Sequence, residues 1–232
     1  MAANKEVLIE LQQEIEVQFS DLKLLEKAIT HKSYANEKQE LKIKDNERLE
    51  FLGDSVLDLI ISRYIFLNYP DHPEGELAKI RSVVVSAPIL AEKAREIELG
   101  KYMLLGKGEE MTGGRKRDSI LADGFEAVVG SIYLDQGLEA SQEFILDLLV
   151  PNIKEVEQGS YVRDYKTLLQ ELIQKDSNLR PDYKVVEEKG PDHNKRFTVE
   201  VIFDQEILGV GVGFSKKEAE QKAAKKAIAK VK

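Results

Sequence analysis

Acids at Glu47, Glu50 and Asp54, inside the stretch Asn46-Glu47-Arg48-Leu49-Glu50-Phe51-Leu52-Gly53-Asp54-Ser55-Val56-Leu57, constrain this chain more than any other feature. On a helix, spacings of i, i+3 and i+7 line three carboxylates along one stripe. Leu49, Leu52, Val56 and Leu59 would then cover the far side, with Phe51 and Leu57 flanking the acids. A solvated face usually carries Lys or Arg four residues after each acid. Here Glu47 is followed by Phe51, Glu50 by Asp54 and Asp54 by Asp58. Like charges at that spacing repel by about a few tenths of a kcal/mol per pair. No side chain on the stripe supplies a counter-charge, so the stripe reads either as plain acidic surface or as a cation site. An all-oxygen donor set selects a hard ion, Mg2+ with Mn2+ as substitute, rather than zinc.

A second acid pair, Asp123 and Glu126, again i and i+3, lies in Ile120-Leu121-Ala122-Asp123-Gly124-Phe125-Glu126-Ala127-Val128-Val129-Gly130. Leu121, Phe125, Val128 and Val129 give this segment the apolar face of a helix. Two such helices face to face would gather Glu50, Asp54, Asp123 and Glu126 into a four-carboxylate site, a known kind of metal chemistry in helix bundles.

The rest of the first 152 residues reads as helical scaffold. Val7, Leu8, Leu11 and Ile15 repeat at helical spacing, and Asp21 is placed to cap a second helix through Leu24, Leu25 and Ala28. Thr30 to Tyr34 reads as a polar connection in which His31 is a hydrogen-bonded structural residue. The acid helix is expected from Asn46, its N-cap, to about Asn68, where Tyr69-Pro70 stops it. Gly53 in its middle costs about 1 kcal/mol relative to Ala, which argues for a close neighbour there. Further helices are expected from Glu74 to Ala87-Pro88, over 89–98, over 118–134 and over 139–149 before Pro151. Gly106 to Arg117 loses periodicity, and its glycines followed by Arg115, Lys116 and Arg117 suit either phosphate contact or a solvated loop.

Residues 153–160 read as a linker, after which the pattern changes. Lys166 to Lys175 is amphipathic; Tyr183 to Glu188, Phe197 to Phe203 and Ile207 to Phe214 alternate as strands; Ser215 to Lys230 carries an Ala stripe at Ala219, Ala223, Ala224 and Ala227. Residues 160–232 hold 15 Lys+Arg against 12 Asp+Glu, net +3, whereas residues 1–159 hold 19 against 30, net −11. A polyanion would therefore need bound metal and the more basic C-terminal part to approach the acidic helices. There are no cysteines, which fits a reducing cytosol. The longest apolar run, Leu57 to Tyr69, is interrupted by Asp58 and Arg63 and too short for a bilayer, and no signal-peptide pattern opens the chain, so a cytoplasmic protein with no membrane partner is expected.

Asn46 to Leu57 resembles the signature of the ribonuclease III family, Asp123 to Glu126 its second acidic motif, and residues 161–232 its double-stranded RNA-binding domain. The resemblance implies an all-α endonuclease domain over 1–152 and a small α-β-β-β-α domain at the C-terminus. It implies a metal-dependent endonuclease for double-stranded RNA, leaving 5′-phosphate and 3′-hydroxyl ends, active on ribosomal-RNA precursors and messenger-RNA duplexes. Glu50, Asp54, Asp123 and Glu126 would hold the metal. Asp54 and Glu126, with Glu47, would serve catalysis, Glu47 either at the metal or against RNA or an outer-shell water. Gln170, Glu171, His193, Lys195, Lys216 and Lys217 would meet RNA, joined by Arg115 and Lys116. Lys216 and Lys217 in the first turn of a helix oppose its dipole and call for an anion. Glu220 departs from a third basic position that many such domains have. The family acts as a homodimer, and Phe51 reads either as a contact with the second subunit or as a core aromatic. A non-catalytic duplex-binding protein would lack the acids, and a nucleotide phosphohydrolase would leave residues 166–230 without a role.

Overall fold

The computed structural model describes residues 5–41, 43–158, 165–174, 179–190 and 195–231. The chain divides into two compact units, Met1–Ser160 and Tyr161–Lys232.

The first unit is helical: α1 (Lys5–Glu14), α2 (Leu22–Ala28), α3 (Lys32–Glu37), α4 (Glu47–Asn68), α5 (Glu74–Val84), α6 (Ala87–Glu96), α7 (Leu99–Tyr102), α8 (Lys107–Met111), α9 (Asp118–Gln136) and α10 (Leu138–Glu157). Its centre is α9, whose stretch from Ile120 to Ile132 is buried apart from the half-buried acids Asp123 and Glu126, as a helix packed on most of its sides must be. Phe125, Ala127, Val128, Val129 and Ile132 are fully buried, and α2, α4, α6 and α10 pack around them. Asp21 does cap α2, accepting from Lys23 N–H at 3.0 Å. Among the described residues no helix is long and apolar enough to cross a membrane.

The tightest crossing is between α4 and α9, and Gly53 is the reason it can form. A Cβ at Gly53 would lie 1.8 Å from the carbonyl oxygen of Glu126, and one at Gly130 would lie 2.3 Å from that of Leu49. Each helix therefore presents a glycine to the other's backbone, as the mid-helix Gly53 suggested.

Several elements differ from expectation. Thr30 to Tyr34 is not merely a connection: α3 starts at Lys32 because His31 Nδ1 caps it, accepting from Ser33 N–H at 3.2 Å. Asn46 occupies the N-cap position of α4 but its side chain is turned inward, donating to Ala28 O at 3.1 Å, while Asp45 Oδ1 accepts from Glu47 N–H at 3.2 Å. Leu59 is 56% exposed and Leu57 1%. The acids border the seam with α9 rather than lying opposite it, so the residue next to them is the buried one. Gly106 to Arg117 forms α8 and a 3-10 turn over Gly114–Lys116. Pro151 does not end α10, which continues to Glu157 with Asn152 and Ile153 buried; residues 153–157, read as linker, are helix because that packing outweighs one missing N–H.

The second unit is α11 (Tyr165–Gln174), an antiparallel sheet in the order β1 (Asp182–Lys189), β2 (Arg196–Phe203), β3 (Glu206–Gly213), and α12 (Lys216–Val231). Leu169 and Ile173 of α11, Val201 of β2 and the Ala face of α12 form its core. The alanines let α12 lie close on β3, where a Cβ on Gly211 would be 2.1 Å from Ala219 O. Ser215 caps α12, its Oγ accepting from Glu218 N–H at 3.1 Å.

Candidate metal centre and nucleic-acid interface

The close crossing of α4 and α9 places the two acid pairs on one rim. One carboxylate oxygen from each of Glu50, Asp123 and Glu126 lies within 4.8 Å of the others. Asp54, one turn along α4 from Glu50, is more exposed and stands outside that trio, yet it exerts the strongest charge effect on Glu126. Burial first, then Asp54, Asp123, Glu50 and Asp58, push Glu126 up from 4.5 to about 8. Glu50 is raised by burial and then by Asp123 and Glu47; Asp123 is raised by burial, opposed by His31 and Lys32. Carboxylates so arranged fit a hard divalent cation: the donors are all oxygen, three of them converge, and at neutral pH Glu126 holds a proton where a cation would serve better.

A sign follows for stability. Between the unfolded value near 4.5 and the folded value near 8, the folded chain binds a proton at Glu126 that the unfolded chain does not. Stability of the metal-free protein should therefore fall as pH rises through that window. The whole shift would correspond to about 5 kcal/mol. Partial exposure of the group screens it, and about 1–3 kcal/mol is expected. Urea unfolding in EDTA should show Glu126→Gln more stable than wild type by this amount at pH 8 and equal to it at pH 4. A difference that does not change with pH would remove the argument.

Glu47 points to a different partner. Its Oε1 accepts from Lys32 Nζ at 2.9 Å, so a cation from α3 supplies what the acid stripe lacks. No helical spacing links residue 32 to residue 47, and the sequence reading missed Lys32 for that reason. His31 is structural, as expected: burial lowers its pKa, and its Nδ1 lies 2.8 Å from Ser33 Oγ. Phe51 is 77% exposed beside the acids, which excludes the core alternative.

Of the basic residues after the glycines, Arg115 is engaged within the fold. Its Nη1 donates to the carbonyls of Gly100, Lys101 and Met103, and its Nε to Glu110, so the guanidinium closes the end of α7. Lys116 is exposed.

In the second unit Glu188 on β1 gathers two of the expected RNA-contacting lysines, with Lys216 Nζ at 3.0 Å and Lys195 Nζ at 3.9 Å. The dipole-opposed charge of Lys216 thus has one internal partner and also lies 5.6 Å over the ring of Phe197. Lys217 is exposed and Gln170 half-buried. Glu220 accepts from Lys166 Nζ at 2.6 Å, which turns the position inward as part of the α11–α12 contact. His193 and the side chain of Glu171 lie outside the described residues.

Comparison with known proteins agrees on both units. The Ribonuclease-III-like family model matches residues 21–153, and the double-stranded RNA binding motif matches residues 165–231. Ribonuclease 3 of Clostridium tetani is 50% identical over 221 residues, 95% of this chain and 93% of its own length. Ribonuclease 3 of Bacillus cereus is 51% identical over 221 residues, 95% of this chain and 90% of its own. The solved nuclease domain of ribonuclease III from Campylobacter jejuni superposes with a TM-score of 0.57 at 39% identity, covering 62% of this chain and 96% of that one. With both units matched in order and relatives half identical over nearly its whole length, the chain belongs to the ribonuclease III family, endonucleases of double-stranded RNA.

Proposed function

We propose that Glu50, Asp54, Asp123 and Glu126 hold Mg2+, for which Mn2+ substitutes, and that the enzyme hydrolyses duplex RNA to 5′-phosphate and 3′-hydroxyl ends. The convergence of Glu50, Asp123 and Glu126 on one point carries this reading. The bound ion supplies Lewis-acid stabilisation of the charge on the phosphate and a nucleophilic water at neutral pH. Residues of the chain do the rest. The packed α4 and α9 backbones hold the acids in register, so little reorganisation is needed when RNA docks. Glu126, protonated near neutral pH, would release its proton to solvent on binding the cation. Asp54, at the wet end of the group, faces the substrate side and completes the ligand set, and Glu47 stands outside it.

Duplex RNA is held through Gln170, Glu171, His193, Lys195, Lys216 and Lys217 in the second unit, which suits recognition of A-form shape and 2′-hydroxyls over sequence. Lys116 adds a contact in the first unit; Arg115, bound to three carbonyls, is left out of this set. Two sites are needed to cut both strands, and a homodimer provides them. A region of the Campylobacter jejuni nuclease domain is involved in dimer formation. Here the exposed Phe51 supplies an isologous contact. A groove of about 470 Å³ between α4 and α5, lined in part by Leu59, Phe66, Leu77 and Ala78, extends the apolar surface. Substrates in this reading are ribosomal-RNA precursors and messenger-RNA duplexes in the cytoplasm.

The test is cleavage of a long RNA duplex in Mg2+, Mn2+, Ca2+ and EDTA, with the products ligated directly. Cutting in Mg2+ and Mn2+ alone, with ends that ligate without prior phosphorylation, is the expected result. Cutting in EDTA or 3′-phosphate ends would overturn the metal reading, and sedimentation as a monomer would overturn the dimer.

A further inference from the structure

Lys32 stands at the first residue of α3, and the backbone before it is clamped. His31 N–H donates to Leu104 O at 3.1 Å and Leu104 N–H to Ile29 O at 2.8 Å. From the other side Asn46 N–H donates to Thr30 O at 2.9 Å, and Asn46 Nδ2 to Ala28 O at 3.1 Å. Just after it, Ser33 Oγ accepts from Gly106 N–H at 2.9 Å. Residues 28–33 are thus tied to the start of α4 and to the segment before α8. The base of Lys32 is fixed with respect to Glu47 and Glu50.

Its side chain is the opposite, 58% exposed, with Glu47 as an ion-pair partner that is itself 53% exposed. A pair this wet contributes little and separates at little cost. The Lys32 ammonium also acts on Glu50 and Asp123, stabilising their charged forms and being stabilised in turn. Such a charge repels an arriving divalent cation and attracts an arriving phosphate. An ammonium on a flexible stem, with three donors, suits a phosphate oxygen as a point-charge contact.

We propose that Lys32 exchanges Glu47 for an RNA phosphate next to the scissile bond when duplex binds, and that before binding its charge weakens the hold of the carboxylates on the metal. The inference rests on the metal-dependent reading of the same site. It makes Lys32 a substrate contact whose removal shifts metal affinity and cleavage in opposite directions. A residue that only supported the fold would lower both.

The experiment compares full-length wild type, Lys32→Gln, Lys32→Arg and Glu126→Gln. Mn2+ binding is measured calorimetrically without RNA, duplex cleavage in single turnover with Mg2+, and duplex binding in Ca2+ as a function of salt. Lys32→Gln is expected to bind Mn2+ several-fold more tightly and to cleave at least about ten-fold more slowly, a loss of one phosphate-directed charge. Its plot of log affinity against log salt should flatten by about one per protomer, and Lys32→Arg should keep the wild-type slope. Weaker Mn2+ binding together with slower cleavage would make Lys32 structural and overturn the inference. Unchanged cleavage and slope would overturn it too. If wild type and Glu126→Gln bind Mn2+ alike, the metal reading itself has failed and the inference falls with it; if they differ as expected, the result for Lys32 stands on its own.

Discussion

Glu126→Gln is expected to slow cleavage of duplex RNA by about 10³-fold or more while leaving duplex affinity within about two-fold. The magnitude follows from what the site does. Charge stabilisation by a correctly held ion is worth several kcal/mol, and about 4 kcal/mol is 10³ in rate. Glutamine has the size of glutamate, so the packing of α9 survives. Its amide oxygen is neutral, so it lacks the negative charge that Glu126 would offer a cation once its proton is lost. In the proposed reading, duplex binding is carried largely by the second unit, which matches the double-stranded RNA binding motif and which the substitution does not touch. Cleavage rates and gel-shift affinities in Ca2+ read the two quantities separately. Undiminished cutting would mean that the acids are structural, and a parallel loss of affinity would mean that Glu126 holds RNA instead of metal.

Gly53→Ala should be the most damaging single methyl group in the molecule. The added carbon would stand 1.8 Å from the carbonyl oxygen of Glu126, 2.6 Å from its carbonyl carbon and 3.0 Å from Gly130 N. All three are backbone atoms of a helix, so no rotamer change relieves the contact and α4 must move away from α9. A loss of more than about 4 kcal/mol is expected, against a total stability of about 5–15 kcal/mol for a typical domain. In a protein of this size that corresponds to a fall in Tm of roughly 10 °C or more. Because the obstructing atom belongs to Glu126, the same displacement spreads the carboxylates, and Mn2+ affinity should fall with Tm. Gly75→Ala is the control: nothing lies within 4 Å of its added carbon, and α5 should be unchanged or slightly stabilised. Equal Tm values for the Gly53→Ala and Gly75→Ala proteins would refute the account of the seam.

Much of this was legible in one dimension because the features are local or periodic. The stripe at Glu47, Glu50 and Asp54, the pair at Asp123 and Glu126, the Asp21 and Ser215 caps and the Ala face of α12 each depend on spacings that a helix imposes within a few residues. Gly53 even announced a close neighbour by its cost in a helix interior. Errors gathered where a residue's partner is distant in sequence. Asn46 caps poorly because Ala28 takes its amide, and Pro151 sits within α10 because that helix is already packed.

The amino-acid sequence by itself determined the two-part organisation, the helical class of the first unit, the α-β-β-β-α order of the second and the identity of the acids. Tertiary structure alone decided that Glu50, Asp123 and Glu126 converge while Asp54 stands at the wet edge, that Glu47 answers to Lys32, and that Glu188 gathers Lys195 and Lys216. The physical reason is the range of the interactions. Helix periodicity and capping act over one or two turns, whereas burial, charge and backbone contact depend on distances between segments that only the packed fold brings together.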